Sequence, residues 1–274
     1  MVESSDAQLD LQDPNILSTG YSAVYEATPN SATLRRLWHE HAEGLDFPEE
    51  FGHISFVTLP QLRRFATELR LGRGDTLVDL GCGRGGPALW VARETGARLI
   101  GVDFSTVAVQ QASARAAELE LADQAQFVVG TFAETGIEAN SSDGVMSEDA
   151  LQYAPDKRAA VAEAARILRP GARMVFTAFE LEPSRATGLP VFGVDPVEDY
   201  RPLLSEAGFT VEAYEEVPGW PEPMTTTYSA LLSASGALTQ EMGQVAAVAL
   251  CTELSMTLQQ QPYRRRVLVV ATKG

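Results

Sequence analysis

The segment from Leu77 to Trp90, LVDLGCGRGGPALW, limits the fold of this chain more than any other stretch of it. A run of apolar residues, typical of a buried strand, leads into four glycines within six residues, and Pro87 follows the last of them. Glycines allow a backbone to turn sharply and to approach a ligand at a helix N-terminus, and proline is favoured in a helix's first turn. The segment therefore predicts a strand, a ligand-binding loop and a helix.

This loop fits two different cofactors. Its first, second and fourth glycines spell G-x-G-x-x-G, the dinucleotide-binding pattern, whereas Asp79 and the first three glycines spell D-x-G-x-G-x-G. Both patterns expect an acidic residue about 20 residues farther on to bind ribose hydroxyls, and Asp103 meets that expectation in either case. A carboxylate at position 79 would face the ligand. It disfavours a pyrophosphate and favours the ammonium and sulfonium groups of S-adenosylmethionine.

Residues 74–217 alternate between strand and helix patterns, which predicts a parallel sheet covered by helices on both faces. The ligand site is expected beyond the carboxyl ends of the strands. Helices are expected from Pro87 to Gly96, from a cap at Ser105, through residues 156–169 and through about 196–207. The predicted strands are 76–80, 98–103, 126–130, 144–148, 173–179 and 209–217.

The flanking regions suggest a cover for that site. Residues 1–14 are predicted to be a flexible acidic leader and residues 15–73 an N-terminal helical cap, with Ser31 capping one helix. A cofactor-binding core, 74–220, precedes a helical lid insertion, 221–262, and a final core strand, 263–274. Long insertions beside a binding face usually serve as covers. Within this insertion, one long helix is predicted from the spacing of Leu238, Met242, Val245, Ala249 and Met256.

Charge and composition narrow the choice of partners. The chain carries a formal net charge of −16 at pH 7, which disfavours nucleic-acid binding because that affinity comes mainly from Lys and Arg. A metal site has no support, because the two cysteines are far apart and the sequence has no C-x-x-C or H-x-x-x-H pattern. Without an apolar run of membrane-spanning length or a signal-peptide pattern, a cytoplasmic protein that binds no membrane is expected.

Four motifs, which lie in order within three stretches of the chain, resemble those of a known family. The stretches VDLGCGRGGPALWVA, GVDFS and SSDGVMSEDALQYAPDKRAAVAEAARILRPGARMVFTAFE resemble a class I S-adenosylmethionine-dependent methyltransferase. They are similar to the small-molecule enzymes of the ubiquinone, sterol, sarcosine and natural-product groups, and YSAVY resembles the Y-D-x-x-Y of these groups. The resemblance implies an α/β, Rossmann-like fold with a seven-stranded, mostly parallel sheet, helices on both faces and a helical lid.

The resemblance also implies roles for individual residues. Asp79 would act on the amino group of S-adenosylmethionine, Asp103 would accept both ribose hydroxyls, and Tyr21 would close over the methionine end. Thr131 stands where the family often has an aspartate, so a hydroxyl would replace the carboxylate at adenine. Ser147 would offer its backbone, and Cys82 would be a small filler in the loop. The predicted cofactor-binding residues are Tyr21, Asp79, Gly81, Cys82, Gly83, Asp103, Phe104, Thr131, Phe132, Ser147 and Gln152.

Three residues are candidates for catalysis, namely His41, His53 and Tyr153. Many relatives follow the fourth strand with L-x-H-x-P-D, whose histidine points toward the substrate. Here the run is L-Q-Y-A-P-D, so Tyr153 occupies the histidine position and, with Gln152, is expected to orient the acceptor. A base is needed only where the acceptor must lose a proton.

The predicted function is methyl transfer from S-adenosylmethionine to a small, apolar or aromatic molecule. The acceptor is expected to be apolar or aromatic because aromatic residues are concentrated in the predicted cap and lid. O-methylation is favoured, and C- or N-methylation is the next choice. A protein of the same fold that catalyses a non-methylating reaction such as cyclisation is one alternative, and an NAD(P)-dependent oxidoreductase is another. The oligomeric state stays open, and a homo-oligomer is compatible with the sequence.

Overall fold

The fold is that of a computed structural model, which describes residues 14–44, 46–182, 184, 188 and 196–274. All but the last residue of the predicted leader, 1–14, lies outside this part of the chain. Seven strands form one sheet in the order β3-β2-β1-β4-β5-β7-β6. Their bounds are β1 Thr76–Leu80, β2 Arg98–Asp103, β3 Ala125–Val129, β4 Ser142–Glu148, β5 Leu168–Leu181, β6 Phe209–Glu216 and β7 Arg264–Lys273.

The first five strands run parallel, and β7 runs antiparallel between β5 and β6. The strand order reverses at β1, whose neighbours are β2 and β4, so the carboxyl ends of these three strands leave a crevice between them. The predicted fold class, a mostly parallel seven-stranded sheet, is therefore confirmed.

Ten α-helices belong to the described part of the chain. They are α1 Pro14–Ala27, α2 Ala32–Trp38, α3 Leu59–Leu69, α4 Gly86–Thr95, α5 Thr106–Glu118, α6 Lys157–Ile167, α7 Arg201–Glu206, α8 Pro221–Ser233, α9 Ser235–Met242 and α10 Gln244–Gln260. Ser31 and Ser105 cap α2 and α5 as expected, because each hydroxyl accepts a backbone N–H from the first turn, of Leu34 and Ala108 respectively.

Alternating side chains of the strands bury the two faces of the sheet separately. Leu77 of β1 packs with the helices α3, α4 and α5, whereas the next residue, Val78, packs with α6 and α7. A third apolar cluster joins α1 and α2 to α8, α9 and α10. The N-terminal and C-terminal helical segments therefore pack together into one body at the end of the sheet.

The long helix predicted in the insertion is wrong. Gly243 has φ +81° and ψ 162°, a conformation that ends α9 and starts α10. Leu238 and Met242 lie in α9 and are buried, but Val245, in the first turn of α10, is 70% exposed. The apolar spacing crosses the break because both helices bury a face in the same cluster.

Two other boundaries differ from the prediction. Helix α6 ends at Ile167, and β5 begins at Leu168 rather than at residue 173. Arg169 precedes Pro170, and proline disfavours a helical conformation in the residue before it. Helix α7 begins at Arg201, later than the expected residue 196.

Candidate active site

A cavity of about 540 Å³ opens at the carboxyl ends of β1, β2 and β4. Its floor is the glycine loop after β1, and its roof comes from α1, α8 and α10. This volume lies within the usual range for small-molecule sites.

The glycine loop is packed so tightly that a side chain is excluded at two of its glycines. The N–H groups of Gly81 and Cys82 both donate to the carbonyl of Val102, at 2.9 and 3.0 Å, which fixes the loop on β2. Gly81 has φ +77°, and a Cβ there would lie 2.7 Å from the Cβ of Ala150. At Gly86 a Cβ would lie 2.1 Å from the carbonyl oxygen of Phe51. The fourth glycine therefore serves helix packing.

Two acidic side chains at this end of the cavity each have one oxygen without a hydrogen-bond partner in the described part of the chain. Asp79 is buried, and its Oδ1 has no hydrogen-bond partner among the described residues. Burial, and then the charge of Asp103, raise the pKa of Asp79 to about 8. Glu148, at the end of β4, likewise has an unpartnered Oε1 within the described part of the chain, and burial raises its pKa well above the usual value. Such a pair is suited to a cationic ligand.

Asp103 is held for a different contact. One carboxylate oxygen accepts the N–H of Gly83 at 2.9 Å, and the other accepts the N–H of Ser105 at 2.9 Å. A carboxylate has about four acceptor positions, so each oxygen keeps one for a ligand hydroxyl. Burial raises the pKa of Asp103, and the two backbone hydrogen bonds lower it.

Phe104, Thr131 and Phe132 line the side of the cavity next to Asp103. Thr131 Oγ1 already accepts the N–H of Glu134 at 3.0 Å, so only part of its hydrogen-bonding capacity is available to a ligand. Cys82 is buried in the floor, where burial raises the pKa of its thiol and keeps it protonated. Its surroundings match a filler role.

Glu253 of α10 is the main polar group of the roof. The hydroxyl of Tyr21 donates to its Oε1 at 2.6 Å, and the hydroxyl of Tyr153 donates to the same oxygen at 3.0 Å. Sequence reasoning missed this residue, although the sequence contains a signal. Glu253 is the single charged residue in the 17 residues of α10. Tyr21 and Tyr153, which were predicted site residues, meet at this carboxylate, with ring centroids 5.5 Å apart.

His53, one of the three candidates for catalysis, lies in the cavity wall. Burial lowers its pKa to about 4, so the ring is neutral at pH 7. The N–H of Ser55 donates to His53 Nδ1 at 3.1 Å. The ring proton must therefore be on Nε2, which has no partner in the described part of the chain. A histidine in this state is a hydrogen-bond donor toward a ligand and cannot accept a proton at Nε2.

Two predicted residues do not line the cavity, and a third lines it with an amide that is already hydrogen-bonded. His41 lies outside its wall, in the π-helical turn that follows α2, with a side chain 31% exposed. Ser147 is internal to β4, and its hydroxyl donates to the carbonyl of Leu80 at 2.8 Å, so Glu148 takes the place at the strand end. Gln152 lies in the wall, but its amide is bonded to Asp149 and Phe179.

A buried ion pair supports the wall beneath these residues. Arg266 of β7 donates to both carboxylate oxygens of Asp149, at 2.8 and 3.0 Å, and both side chains are buried. The N–H of Phe56 donates to Asp149 Oδ2 at 3.0 Å. The loop after β4, the strand β7 and the N-terminal segment are thereby joined at one carboxylate. In the sequence, Arg266 is the last of three consecutive arginines, 264–266, and no local pattern indicates its buried partner.

Comparisons with known proteins decide the family. A family model described as a methyltransferase domain matches residues 78–176. The 27-O-demethylrifamycin SV methyltransferase of Amycolatopsis mediterranei (strain S699) is 30% identical over 224 residues, which cover 78% of this chain and 80% of that enzyme. The chain belongs to the S-adenosylmethionine-dependent methyltransferases. Its cofactor is therefore S-adenosylmethionine, and the dinucleotide interpretation of the glycine loop is wrong.

Two further comparisons place this methyltransferase among its relatives. A probable tocopherol O-methyltransferase of Oryza sativa subsp. japonica is 31% identical over 183 residues, covering 62% of this chain and 50% of that protein. A solved structure described as the [4+2]-cyclase SpnF superposes with a TM-score of 0.75 at 21% identity, covering 94% of each chain. That likeness shows a shared fold. No helix in the described part of this methyltransferase is long and apolar enough to cross a membrane.

Proposed function

We propose that this methyltransferase transfers a methyl group to a hydroxyl oxygen of a mostly apolar or aromatic small molecule. The observation that supports this proposal most directly is that the cavity is acidic at one end and apolar at the other. The end near the glycine loop is acidic, whereas the end under the lid is closed by apolar side chains. These are Leu34, Trp38, Phe56, Phe179, Met224, Tyr228, Leu250 and Leu254.

The acidic end fits the cofactor. We assign the unpartnered oxygens of Asp79 and Glu148 to its cationic methionine end, because a bound cation would supply the missing partner. Asp103 is assigned to the ribose hydroxyls, since each of its oxygens keeps an acceptor position. Phe104 and Phe132 would enclose the adenine ring. Arg84, whose Nε has no partner among the described residues, is suited to the methionine carboxylate.

The lid end fits an aromatic or polycyclic acceptor. Phe56 lies between Trp38 and Tyr228, with ring centroids 5.7 and 5.5 Å away, so three rings form a continuous wall. Aromatic walls of this kind bury apolar ligands and stack on rings. Two relatives support oxygen as the methylated atom. The name of the Amycolatopsis enzyme refers to the 27-O position of its substrate, and the name of the rice protein describes a probable tocopherol O-methyltransferase.

For methyl transfer, the protein mainly has to bind the cofactor and the acceptor and align them. The bound cofactor supplies an electrophilic methyl group on a cationic sulfur. The glycine loop and Asp79 would hold the methionine end in one orientation, and the aromatic wall would align the acceptor for in-line attack. The helical roof would exclude water, which strengthens the electrostatic contacts inside. His53 Nε2–H would donate a hydrogen bond to a polar group of the acceptor.

Mass spectrometry with a labelled cofactor tests the proposal. The purified protein would be incubated with S-adenosylmethionine carrying a CD₃ group and with a panel of hydroxylated aromatic and macrocyclic compounds that includes 27-O-demethylrifamycin SV. We expect a product that carries one CD₃ group, and NMR should place that group on oxygen. A label on carbon or nitrogen would contradict O-methylation and leave methyl transfer standing.

The same experiment separates a second candidate, a non-methylating reaction such as cyclisation. The cavity offers an apolar chamber that could fold a flexible acceptor, and the structurally similar SpnF is described as a cyclase. Consumption of an acceptor with no CD₃ gain, in the presence of cofactor, would support this candidate over methyl transfer.

A further inference from the structure

The carboxylate of Glu253 lies beside the apolar lid end of the cavity. It projects from α10 among Leu250, Leu254 and Tyr228, all of which line the lid end. Burial raises its pKa, and the hydrogen bonds from Tyr21 and Tyr153, followed by Arg264, act in the opposite direction. A carboxylate that is both buried and more basic than usual needs a function that offsets its cost in stability.

Its hydrogen bonds leave it able to accept a proton. Both tyrosine hydroxyls donate to Oε1, at 2.6 and 3.0 Å. Because a carboxylate offers about four acceptor positions, two remain after these bonds. The tyrosines hold the side chain in one place, since they come from α1 and from the loop after β4, on either side of it.

Glu253 also lies between the two ends of the cavity. Tyr25 Oη is 3.1 Å from the position that a Cβ on Gly83 would occupy, so Tyr25 contacts the glycine loop. The rings of Tyr25 and Tyr21 are 6.2 Å apart, and the rings of Tyr21 and Tyr153 are 5.5 Å apart. A continuous row of tyrosines thus leads from the cofactor end to the carboxylate. An acceptor that is in contact with this row would have its hydroxyl near Glu253.

We propose that Glu253 is the general base of the transfer and takes the proton of the acceptor hydroxyl. This inference rests on the proposed O-methylation. As the acceptor oxygen forms its bond to the methyl carbon, the carbon–sulfur bond breaks and its electron pair stays on sulfur, which becomes neutral. The hydroxyl proton moves to Glu253, which becomes a neutral carboxylic acid and later releases the proton to solvent. Atoms and charges balance without a further reactant.

Three other titratable groups of the cavity, His53, Asp149 and Tyr153, are less suited to this step. His53 carries its proton on Nε2 and can only donate there. Asp149 is occupied by Arg266 and by the N–H of Phe56. Tyr153 is a donor to Glu253, and burial raises its pKa above the usual value, which keeps the phenol protonated.

The variant Glu253→Gln tests the proposal. The Gln carbonyl oxygen can still accept both tyrosine hydroxyls, so the lid contacts are kept, but an amide cannot take a proton. We expect kcat to fall at least about 100-fold, the usual contribution of a general base, with little change in cofactor affinity by calorimetry. The matched control is Glu241→Gln on α9. Glu241 accepts the hydroxyls of Ser31 and Thr33, at 2.6 and 2.8 Å, outside the cavity.

The pH dependence of kcat adds a measurement that a structural role would not change. Wild-type kcat should rise as Glu253 ionises and then level off, whereas kcat of Glu253→Gln should keep rising with pH as the acceptor itself ionises. The titratable and charged groups that face Glu253 are Tyr21 and Tyr25 on α1, Tyr153 after β4, Tyr228 on α8 and Arg264 on β7. In the variants Tyr21→Phe and Tyr153→Phe, the apparent pKa of that rise should increase.

The outcomes separate the two proposals. If wild-type product carries the label on oxygen and Glu253→Gln keeps more than a third of wild-type kcat, the general-base assignment is wrong and O-methylation stands. An equal loss in Glu253→Gln and Glu241→Gln would show a structural role and also overturn the assignment. If the label is on carbon or nitrogen, the proposed function fails and the assignment fails with it.

Discussion

Asp79 makes cofactor binding depend on pH. Its carboxyl group has a pKa of about 8 because it is buried close to Asp103, and one of its oxygens has no partner in the described part of the chain. A carboxyl group in this state keeps its proton at pH 7. A bound cation favours the charged form, so binding of the cofactor should drive this proton off.

We therefore predict that affinity for S-adenosylmethionine rises with pH up to about pH 8. Below that pH the free protein holds a proton that the complex loses, so the affinity should fall by up to about tenfold per pH unit. Calorimetry at pH 6, 7 and 8, in buffers with different heats of ionisation, measures the proton release directly. The variant Asp79→Asn should bind S-adenosylmethionine more weakly and should not release the proton that Asp79 loses in wild type. Equal release in both proteins would contradict the prediction.

The raised pKa of Asp79 can also be tested without cofactor, through its effect on the stability of the folded protein. In the unfolded chain an aspartate loses its proton at about pH 4, whereas in the folded protein Asp79 keeps it to about pH 8. Its contribution to the free energy of unfolding is complete below the lower value and is lost as pH rises to the upper one. In urea denaturation without cofactor, Asp79→Asn should thus gain stability relative to wild type from pH 5 to pH 8.

Gly81 illustrates how a single missing side chain shapes the site. We predict that Gly81→Ala loses cofactor binding, because the new Cβ meets Ala150 at 2.7 Å and Phe132 at 2.8 Å. Gly136 is a matched control, since it has φ +73° but open space around its Cβ position. Gly136→Ala should lose only about 1–2 kcal/mol for the left-handed backbone. Thermal denaturation and calorimetry measure both effects. Equal losses in stability and binding would contradict the packing argument.

At the scale of elements, the ion pair of Asp149 and Arg266 joins three segments that are distant in sequence. Both side chains are buried, and Asp149 also accepts the N–H of Phe56 from the N-terminal segment. Removing one member of a buried pair leaves an uncompensated charge in the interior. The wall of the cavity therefore depends on a contact that lies outside the cofactor motif.

We predict that Arg266→Met lowers the free energy of unfolding by about 3–5 kcal/mol. The control is Arg36→Met on α2, which removes an exposed ion pair with Glu40, with side chains 58% and 41% exposed. Such a surface pair contributes at most about 1 kcal/mol. Urea denaturation of both variants checks the difference. A loss below about 1 kcal/mol in Arg266→Met would show that the pair adds little to stability.

At the scale of the whole molecule, the two ends of the chain together close the site. Helix α1 supplies Tyr21, α10 supplies Glu253, and both helices belong to one apolar cluster. Their side chains line the cavity, and we predict that exchange of the cofactor requires these two helices to separate. Lids of this kind often limit turnover.

A disulfide between α1 and α10 tests this closure. A Cβ on Gly20 would lie 3.6 Å from the Cβ of Ala249, which is within the range found for disulfides. We predict that oxidised Gly20→Cys/Ala249→Cys has a higher melting temperature and exchanges cofactor at least about tenfold more slowly than its reduced form. Stopped-flow release of S-adenosylhomocysteine, with and without reductant, measures this. Each single-cysteine variant is the control, and equal release rates in both redox states would contradict the prediction.

Local patterns predicted the elements of the core well. The glycine loop, the strand bounds near Asp79 and Asp103, and the serine caps depend on neighbours within a few residues, and the structure agrees with them. The break at Gly243 and the place of His41 outside the cavity were not predicted, because each depends on packing between helices that are distant in sequence. Periodicity alone does not report which helix face is covered.

The sequence by itself determined the fold class, the family and the cofactor, because these depend on short segments whose residue types and spacing carry the chemistry. Only the tertiary structure decided which polar groups share the cavity. Tyr21, Tyr153 and Glu253 meet although 100 or more residues separate Glu253 from each tyrosine. Contacts at that separation come from the packing of the lid helices on the sheet, and no local pattern contains them.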